Sequence, residues 1–318
     1  MSSIFNKFSA KAAIGPQSGG RPPAAVEVST EGVLAATRST AQSRRGGSDH
    51  GDAGVSAFAA LPPGALVPGI EEPNLRKPEA VASAIRSALG RVSPRTHVVT
   101  LVVPDTVARI FVLDFDSLPA KFAEAISVVR FRLRKMVPFD VEPAGVGYQL
   151  LAQDEIECKV LAAVIPGPIL AEYEDAVRAA GYEPGAVLPS SLAALETLDS
   201  MESVLAANLS TQSITTVIAT GQNLLLYRTL DLPVDPGERA AEIQRSVAVA
   251  FAYFEDKLGA PPHRLYYAGV QAPGEFAALI GAPEMAVVDW APRSEAEAAG
   301  SLLQISYAGV MGALEGTR

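Results

Sequence analysis

One local pattern occurs twice in this chain, far apart. Residues 25–34 read Ala-Val-Glu-Val-Ser-Thr-Glu-Gly-Val-Leu. Residues 205–218 read Leu-Ala-Ala-Asn-Leu-Ser-Thr-Gln-Ser-Ile-Thr-Thr-Val-Ile. Each predicts an apolar strand, a small hydroxyl-rich turn and a second apolar strand. The N–H groups and hydroxyls of such a turn can form an anion-binding nest. A chain that repeats this device in both halves is constrained towards two similar α/β lobes, each with its own core.

The length agrees, since 318 residues exceed what one hydrophobic core usually serves. Hydrophobic residues make up 48% and charged residues 19%, which is core enough for a folded body. A net charge of −9 argues against a nucleic-acid partner, because phosphate binding needs a basic surface. The single cysteine, Cys158, excludes an internal disulfide framework and fits a reducing compartment, as a structural thiol in a strand. No stretch reaches the ~18 consecutive apolar residues of a membrane span. Residues 1–23 carry no apolar core of signal-peptide type and read as a disordered tail, the alternative being a weak amphipathic anchor through Ile4, Phe5 and Phe8.

Along the chain, residues 38–54 are Ser-, Gly- and Arg-rich without periodicity and predict a flexible loop. A strand over 57–68 leads into the Leu61-Pro62-Pro63-Gly64 turn. A helix over 77–89 follows, with Pro78 in its first turn and Gly90 at its stop. Val98 to Val103 predicts a central strand, and 106–113 another. Ser117 is the expected cap of a helix to Met136, whose inner stripe is Phe122, Ile126, Val129 and Leu133. Arg130, Arg132, Arg134 and Lys135 near its end suit the helix dipole, or alternatively an anionic docking patch.

A strand pair over 147–152 and 157–165, a helix over 168–180, a strand over 183–188 and a short helix to 198 complete the first half. The second half gives the second hairpin with a third strand over 224–228, a long helix 236–258 ending at Gly259, and a strand 265–269. A helix from 275, a strand 287–290 and a final apolar helix 301–314 close it.

The order and spacing of several stretches resemble the type IV pilus assembly protein PilM family, from about Ala24 to Ala313. These are 57–67 with its Leu-Pro-Pro-Gly turn, the helix ending in Val137-Pro138-Phe139, Tyr148-Gln149-Leu150-Leu151, and 242–246 after the second hairpin. The resemblance implies a two-lobed actin-like (ribonuclease H-like) α/β fold with a small inserted subdomain. The first lobe would span 24–198 with its insertion at about 104–158, and the second 199–294. Residues 295–318 would return to the first lobe as a C-terminal helix.

The resemblance also implies ATP in an interlobe cleft and a place on the cytoplasmic face of the inner membrane. There a groove beside the inserted subdomain would grip the short cytoplasmic amino-terminal tail of a bitopic PilN-like membrane protein. The nucleotide positions by resemblance are Glu27, Ser29 and Thr30 in the first turn, Asn208, Ser210 and Thr211 in the second, and Gly269 and Gly274 in an adenosine loop.

Departures from the family's Asp-x-Gly turns point away from catalysis. Ser29 and Ser210 add a Cβ where backbone must approach phosphate. Asn208 has no charge to order magnesium's water shell, Glu27 is one methylene too long, and Val270 replaces a loop glycine. The expectation is at most weak Mg-ATP binding and no meaningful hydrolysis.

Three functional classes follow: a non-catalytic adaptor of a pilus or secretion machine, a competent ATPase of the same fold, or a scaffold of a type II secretion or cell-division machine. The chain has no phosphate-loop, dinucleotide or nucleophile-elbow motif. His50, His97 and His263 lack metal-ligand spacing, and Asp114 and Asp116 fit a strand-to-helix turn.

Overall fold

The computed structural model describes residues 21–38, 53–153, 157–198, 202–221, 223–282, 284–298 and 300–315. Residues 1–20 of the expected 1–23 tail and the centre of the 38–54 loop lie outside these residues; the end of that tail is held instead, with Arg21 buried and donating to the Gly312 carbonyl at 3.0 Å. The chain divides into unit 1, Met1–Thr197 with Gly309–Arg318, and unit 2, Leu198–Ala308.

Unit 1 is built on strands β1 (Ala24–Val28), β2 (Gly32–Arg38), β3 (Ala53–Ala60), β4 (Val98–Val103) and β8 (Glu183–Pro189), in the order β3-β2-β1-β4-β8. The first three form an antiparallel meander, and β4 and β8 add in parallel on the other side of β1. β1 and β4 are almost wholly buried, as parallel strands covered on both faces must be. Helix α1 (Pro78–Val92) lies against β2 and β3, and α3 (Gly167–Ala179) against β4 and β8. The short α4 (Ser190–Ala194) follows β8 directly.

Between β4 and α3 the chain inserts a three-stranded antiparallel sheet. It comprises β5 (Arg109–Phe115), β6 (Gly145–Gln153) and β7 (Cys158–Ile165), in the order β5-β7-β6. Helix α2 (Phe122–Leu133) buries Ala125, Ile126, Val129 and Leu133 against it, with Phe122 stacked on Tyr148 at 5.3 Å. Cys158 is buried within this core, which pushes its thiol up and keeps it protonated.

Unit 2 repeats the main sheet. Strands β9 (Ser203–Leu209), β10 (Ser213–Thr220), β11 (Asn223–Asp231), β12 (Arg264–Gly269) and β13 (Ala286–Asp289) take the order β11-β10-β9-β12-β13. A meander again comes first and two parallel strands join its first member. Helix α5 (Pro236–Leu258) packs Ile243, Val247, Ala250 and Phe254 against this sheet. Asp235 caps it by accepting the N–H groups of Gly237 and Glu238, and left-handed Gly259 closes it. Helix α6 (Pro273–Leu279) and the hairpin of β14 (Arg293–Ala298) and β15 (Ser301–Ser306) complete the unit. The last helix, α7 (Ala308–Glu315), lies almost entirely in unit 1.

Several expectations need correction. Residues 301–306 are a strand, because left-handed Gly300 turns the chain back onto β14, and the helix begins only at Ala308. A short apolar run alone does not separate those two states. Ser117 does not cap α2. Pro119 holds the preceding residue extended, and the helix starts after Lys121, with no side-chain cap. Gly90 lies inside α1, which ends at Val92 with left-handed Ser93 as its cap. β3 occupies 53–60 rather than 57–68. The segment after it is tied down by fully buried Asn74, whose amide bonds Gly69, Glu72 and Tyr173.

Candidate functional site

The two duplicated turns share a serine-centred hydrogen-bond scheme. In the first, the Ser29 N–H donates to the Gly32 carbonyl at 2.9 Å, and the Ser29 hydroxyl bonds both the carbonyl and the N–H of Gly32. In the second, the Ser210 N–H donates to the Ser213 carbonyl at 2.9 Å. The Ser210 hydroxyl bonds that carbonyl and the Ser213 hydroxyl, and accepts from the N–H groups of Gln212 and Ser213. Thr30 donates to the Glu31 carboxylate at 2.8 Å. Both tips therefore direct their serine hydroxyls at their own backbone.

The strands entering the turns place Glu27 and Asn208 equivalently: Glu27 pairs with Leu34 and Val102, and Asn208 with Thr215 and Ala268. Their surroundings differ. The partly buried Glu27 carboxylate accepts the Ser190 hydroxyl at 2.6 Å and the Val310 N–H. A Cβ on Gly309 would lie 2.5 Å from it. Beside it, Asp105 accepts the Ser191 N–H at 2.9 Å and the Ser191 hydroxyl. Desolvation, with Asp105 and Glu31 nearby, outweighs these hydrogen bonds and raises the Glu27 pKa to about 7.

In unit 2 the equivalent reinforcement is cationic. From the first turns of α5, Arg239 donates to the Ser210 carbonyl at 2.9 Å and to the Thr211 carbonyl. The loop after β12 is held similarly. Arg293 donates to the carbonyls of Tyr267, Gly269 and Gln271, pairs with Asp289 and stands 5.0 Å from the Tyr267 ring centre. Tyr267 is fully buried against Phe276, and burial pushes its phenol up to about 12.

Gly269 is next to the second turn: a side chain there would meet the Tyr267 hydroxyl at 2.5 Å and the Leu209 carbonyl at 2.7 Å. Internal packing thus demands that glycine without any ligand. Gly274 stands at the second position of α6 with open space around its Cβ direction, away from the packed end of the loop.

Within unit 2 the structure thus brings Asn208, Ser210, Thr211 and Gly269 together on adjacent strands, and within unit 1 Glu27, Ser29 and Thr30 form one corner. A magnesium triphosphate needs hydroxyls and N–H groups turned outward and an acid open to metal-bound water. Here the turn serines bond inward, Glu27 is turned to Ser190 and α7, Glu31 accepts the Thr30 hydroxyl and Asp105 is bonded by Ser191, so the residues present do not fit that ligand. Among the described residues no cluster of three or more His, Cys, Asp or Glu could hold a metal ion.

Sequence reading missed Asp105, Ser190, Ser191, Gly309, Arg239 and Arg293. Apart from Arg239, near the start of a capped helix, nothing local to these residues advertises their contacts.

No protein-family model matches the chain, and no curated protein matches it in sequence. Solved structures do. A PilM-PilN type IV pilus biogenesis complex superposes with a TM-score of 0.64 at 16% identity, covering 93% of this chain and 98% of that one. The cytoplasmic domain of EpsL, an inner-membrane component of the Vibrio cholerae type II secretion system, gives 0.47 at 13% identity over 78% and 82%. A Bacteroides thetaiotaomicron protein with an actin-like ATPase fold gives 0.46 at 10% identity over 83% and 89%. This chain has the actin-like ATPase fold, in the form seen in the PilM-PilN complex.

Proposed function

We propose that this protein is a non-catalytic adaptor of a pilus-type assembly platform. It captures the cytoplasmic amino-terminal tail of a PilN-like bitopic membrane protein and resides peripherally on the cytoplasmic face of the inner membrane. The observation that carries the non-catalytic half is the inward bonding of Ser29 and Ser210. Turns that satisfy themselves hold their shape without phosphate, so the lobes serve as a scaffold rather than a nucleotide switch.

The inserted subdomain is the proposed capture element. Val112 on the edge strand β5 is 38% exposed, on the sheet face away from the core of the subdomain, leaving apolar surface for an extended tail. The cations of α2 divide between tasks. Arg130 ties the carbonyls of Val141, Glu142 and Ala144, and Arg134 pairs with Glu142. Arg132 remains exposed for an acidic tail. Among the described residues no helix is long and apolar enough to cross a membrane, so attachment through a partner is the economical arrangement.

Fluorescence anisotropy with labelled tail peptides of bitopic membrane proteins encoded beside this chain tests the reading. Saturable binding, weakened at least tenfold by Val112→Asp, is expected. Failure of every such tail, together with micromolar Mg-ATP binding, would replace the adaptor with an ATPase.

A further inference from the structure

Helix α2 is apolar on both of its sides. The inner side, Ala125, Ile126, Val129 and Leu133, is buried in the core of the inserted subdomain. The outer side carries Val128 and Phe131, 37% and 64% exposed, and Met136 follows in the turn after the helix at 42%. Val128 and Phe131 are three residues apart and therefore neighbours on the helix surface. Phe122, Val137 and Phe139 pack against the subdomain core, whereas Val128, Phe131 and Met136 take no part in it. An amphipathic helix of a folded body should turn polar residues outward here, so this stripe has no packing role.

The charge around the stripe runs against the rest of the chain. Residues 121–136 hold five of the 26 Lys and Arg but one of the 35 Asp and Glu, in a chain of net charge −9. That acid, Glu124, is paired with Lys121 at 3.1 Å. Arg130 is spent on the carbonyls of Val141, Glu142 and Ala144, and Arg134 is shared with Glu142. Arg132 adjoins Phe131 and Lys135 stands four residues beyond it, both exposed and without an ion pair among the described residues. The helix dipole accounts for cations at this end, but not for an exposed phenylalanine among them.

We propose that this outer face of α2 is a peripheral contact with an anionic bilayer. Phe131, Val128 and Met136 enter the headgroup region, and Arg132 and Lys135 meet lipid phosphates. A ridge of three side chains on one helix falls far short of the about 800 Å² per partner that a stable protein interface buries. A bilayer needs no matching pocket, and basic side chains lay their stems along apolar neighbours while their heads stay at the phosphates. For Arg132 an acidic tail is the competing anion, and the exposed Phe131 beside it favours the lipid. The contact is weak alone and reinforces attachment through a partner, since stable anchoring takes two signals. It rests on the adaptor reading for its place at the inner membrane. The tail surface is distinct, because Phe111 and Leu113 face the core beneath α2 and Val112 points to the other side of the sheet.

Co-flotation of the full-length protein with lipid vesicles tests the proposal. Vesicles of equal parts phosphatidylglycerol and phosphatidylethanolamine should capture about tenfold more protein at low salt than phosphatidylcholine vesicles, and about 0.5 M salt should release most of it. Phe131→Ser should lower capture about fivefold, and the double variant Arg132→Glu, Lys135→Glu about tenfold. Val112→Asp should leave it unchanged. The one native tryptophan, Trp290, is buried, so a shift of the emission of Phe131→Trp to shorter wavelength on adding anionic vesicles reports this face. Equal capture by both vesicle types, or capture that survives both Phe131→Ser and the double variant, would overturn the proposal. A dimer or a tail complex that Phe131→Ser abolishes, with no vesicle capture, would overturn it too. Anionic-vesicle capture without any tail binding would support this contact while removing the adaptor reading.

Discussion

The β1–β2 and β9–β10 turns share a serine-centred hydrogen-bond scheme and are fastened by different groups, a carboxyl and a guanidinium. The first is steadied by a carboxyl, Glu27, which reaches away from the tip to Ser190 and the amino end of α7. The second is steadied by a cation, Arg239, which reaches in from α5 to the carbonyls of Ser210 and Thr211. The difference teaches that a duplicated local fold survives when only its serine network is kept. Each copy then recruits whatever neighbouring group its own unit supplies. It also makes the first turn sensitive to protons and the second insensitive, because a guanidinium keeps its charge at any ordinary pH.

The largest expected effect is at the cationic fastening. Arg239→Ala removes two charge-assisted bonds and should lower the protection of unit 2 by about 2 kcal/mol in native-state hydrogen exchange, leaving unit 1 unchanged. An equal loss in both units would mean that the turns are not separately fastened. Next is the pH response. Between pH 6 and 8 Glu27 should cost unit 1 about 1 kcal/mol of stability, with the loss running in the alkaline direction. Unit 2 should show no matching loss, and Glu27→Gln should flatten the unit 1 profile.

The smallest effects separate the serines themselves. Ser210→Ala should cost about 1 kcal/mol in chemical denaturation, because Ser210 bonds two N–H groups, a carbonyl and a hydroxyl. Ser29→Ala should cost about 0.5 kcal/mol, because Ser29 bonds only Gly32. The reverse order would show that the serine network is not what shapes the turns.

Much of this architecture was legible in the sequence where periodicity was long or punctuation strong. Helix α5 ran from Pro236 to Leu258 between a capping Asp235 and Gly259 as expected, and both hairpins declared themselves by apolar strands around Ser-Thr tips. The β15 strand was not legible, since a short apolar run such as Leu302, Leu303 and Ile305 does not separate helix from strand until Gly300 folds the chain back. At the candidate site, sequence spacing located the turn residues but not what they face. The contacts of Glu27 with Ser190 and Val310 span most of the chain's length, and no local pattern encodes them. Gly269 is the complementary case: whatever its role in a loop, Tyr267 and Leu209 already require a glycine there.

The central claim is that both turns are closed on themselves and do not grip a nucleotide. Isothermal titration of the full-length protein with Mg-ATP tests it most directly. The account predicts no saturable heat into the high micromolar range, in the wild type and in Arg239→Ala alike. A single-site isotherm with micromolar Kd would contradict it, because the Ser29 and Ser210 hydroxyls would then have to turn outward to phosphate.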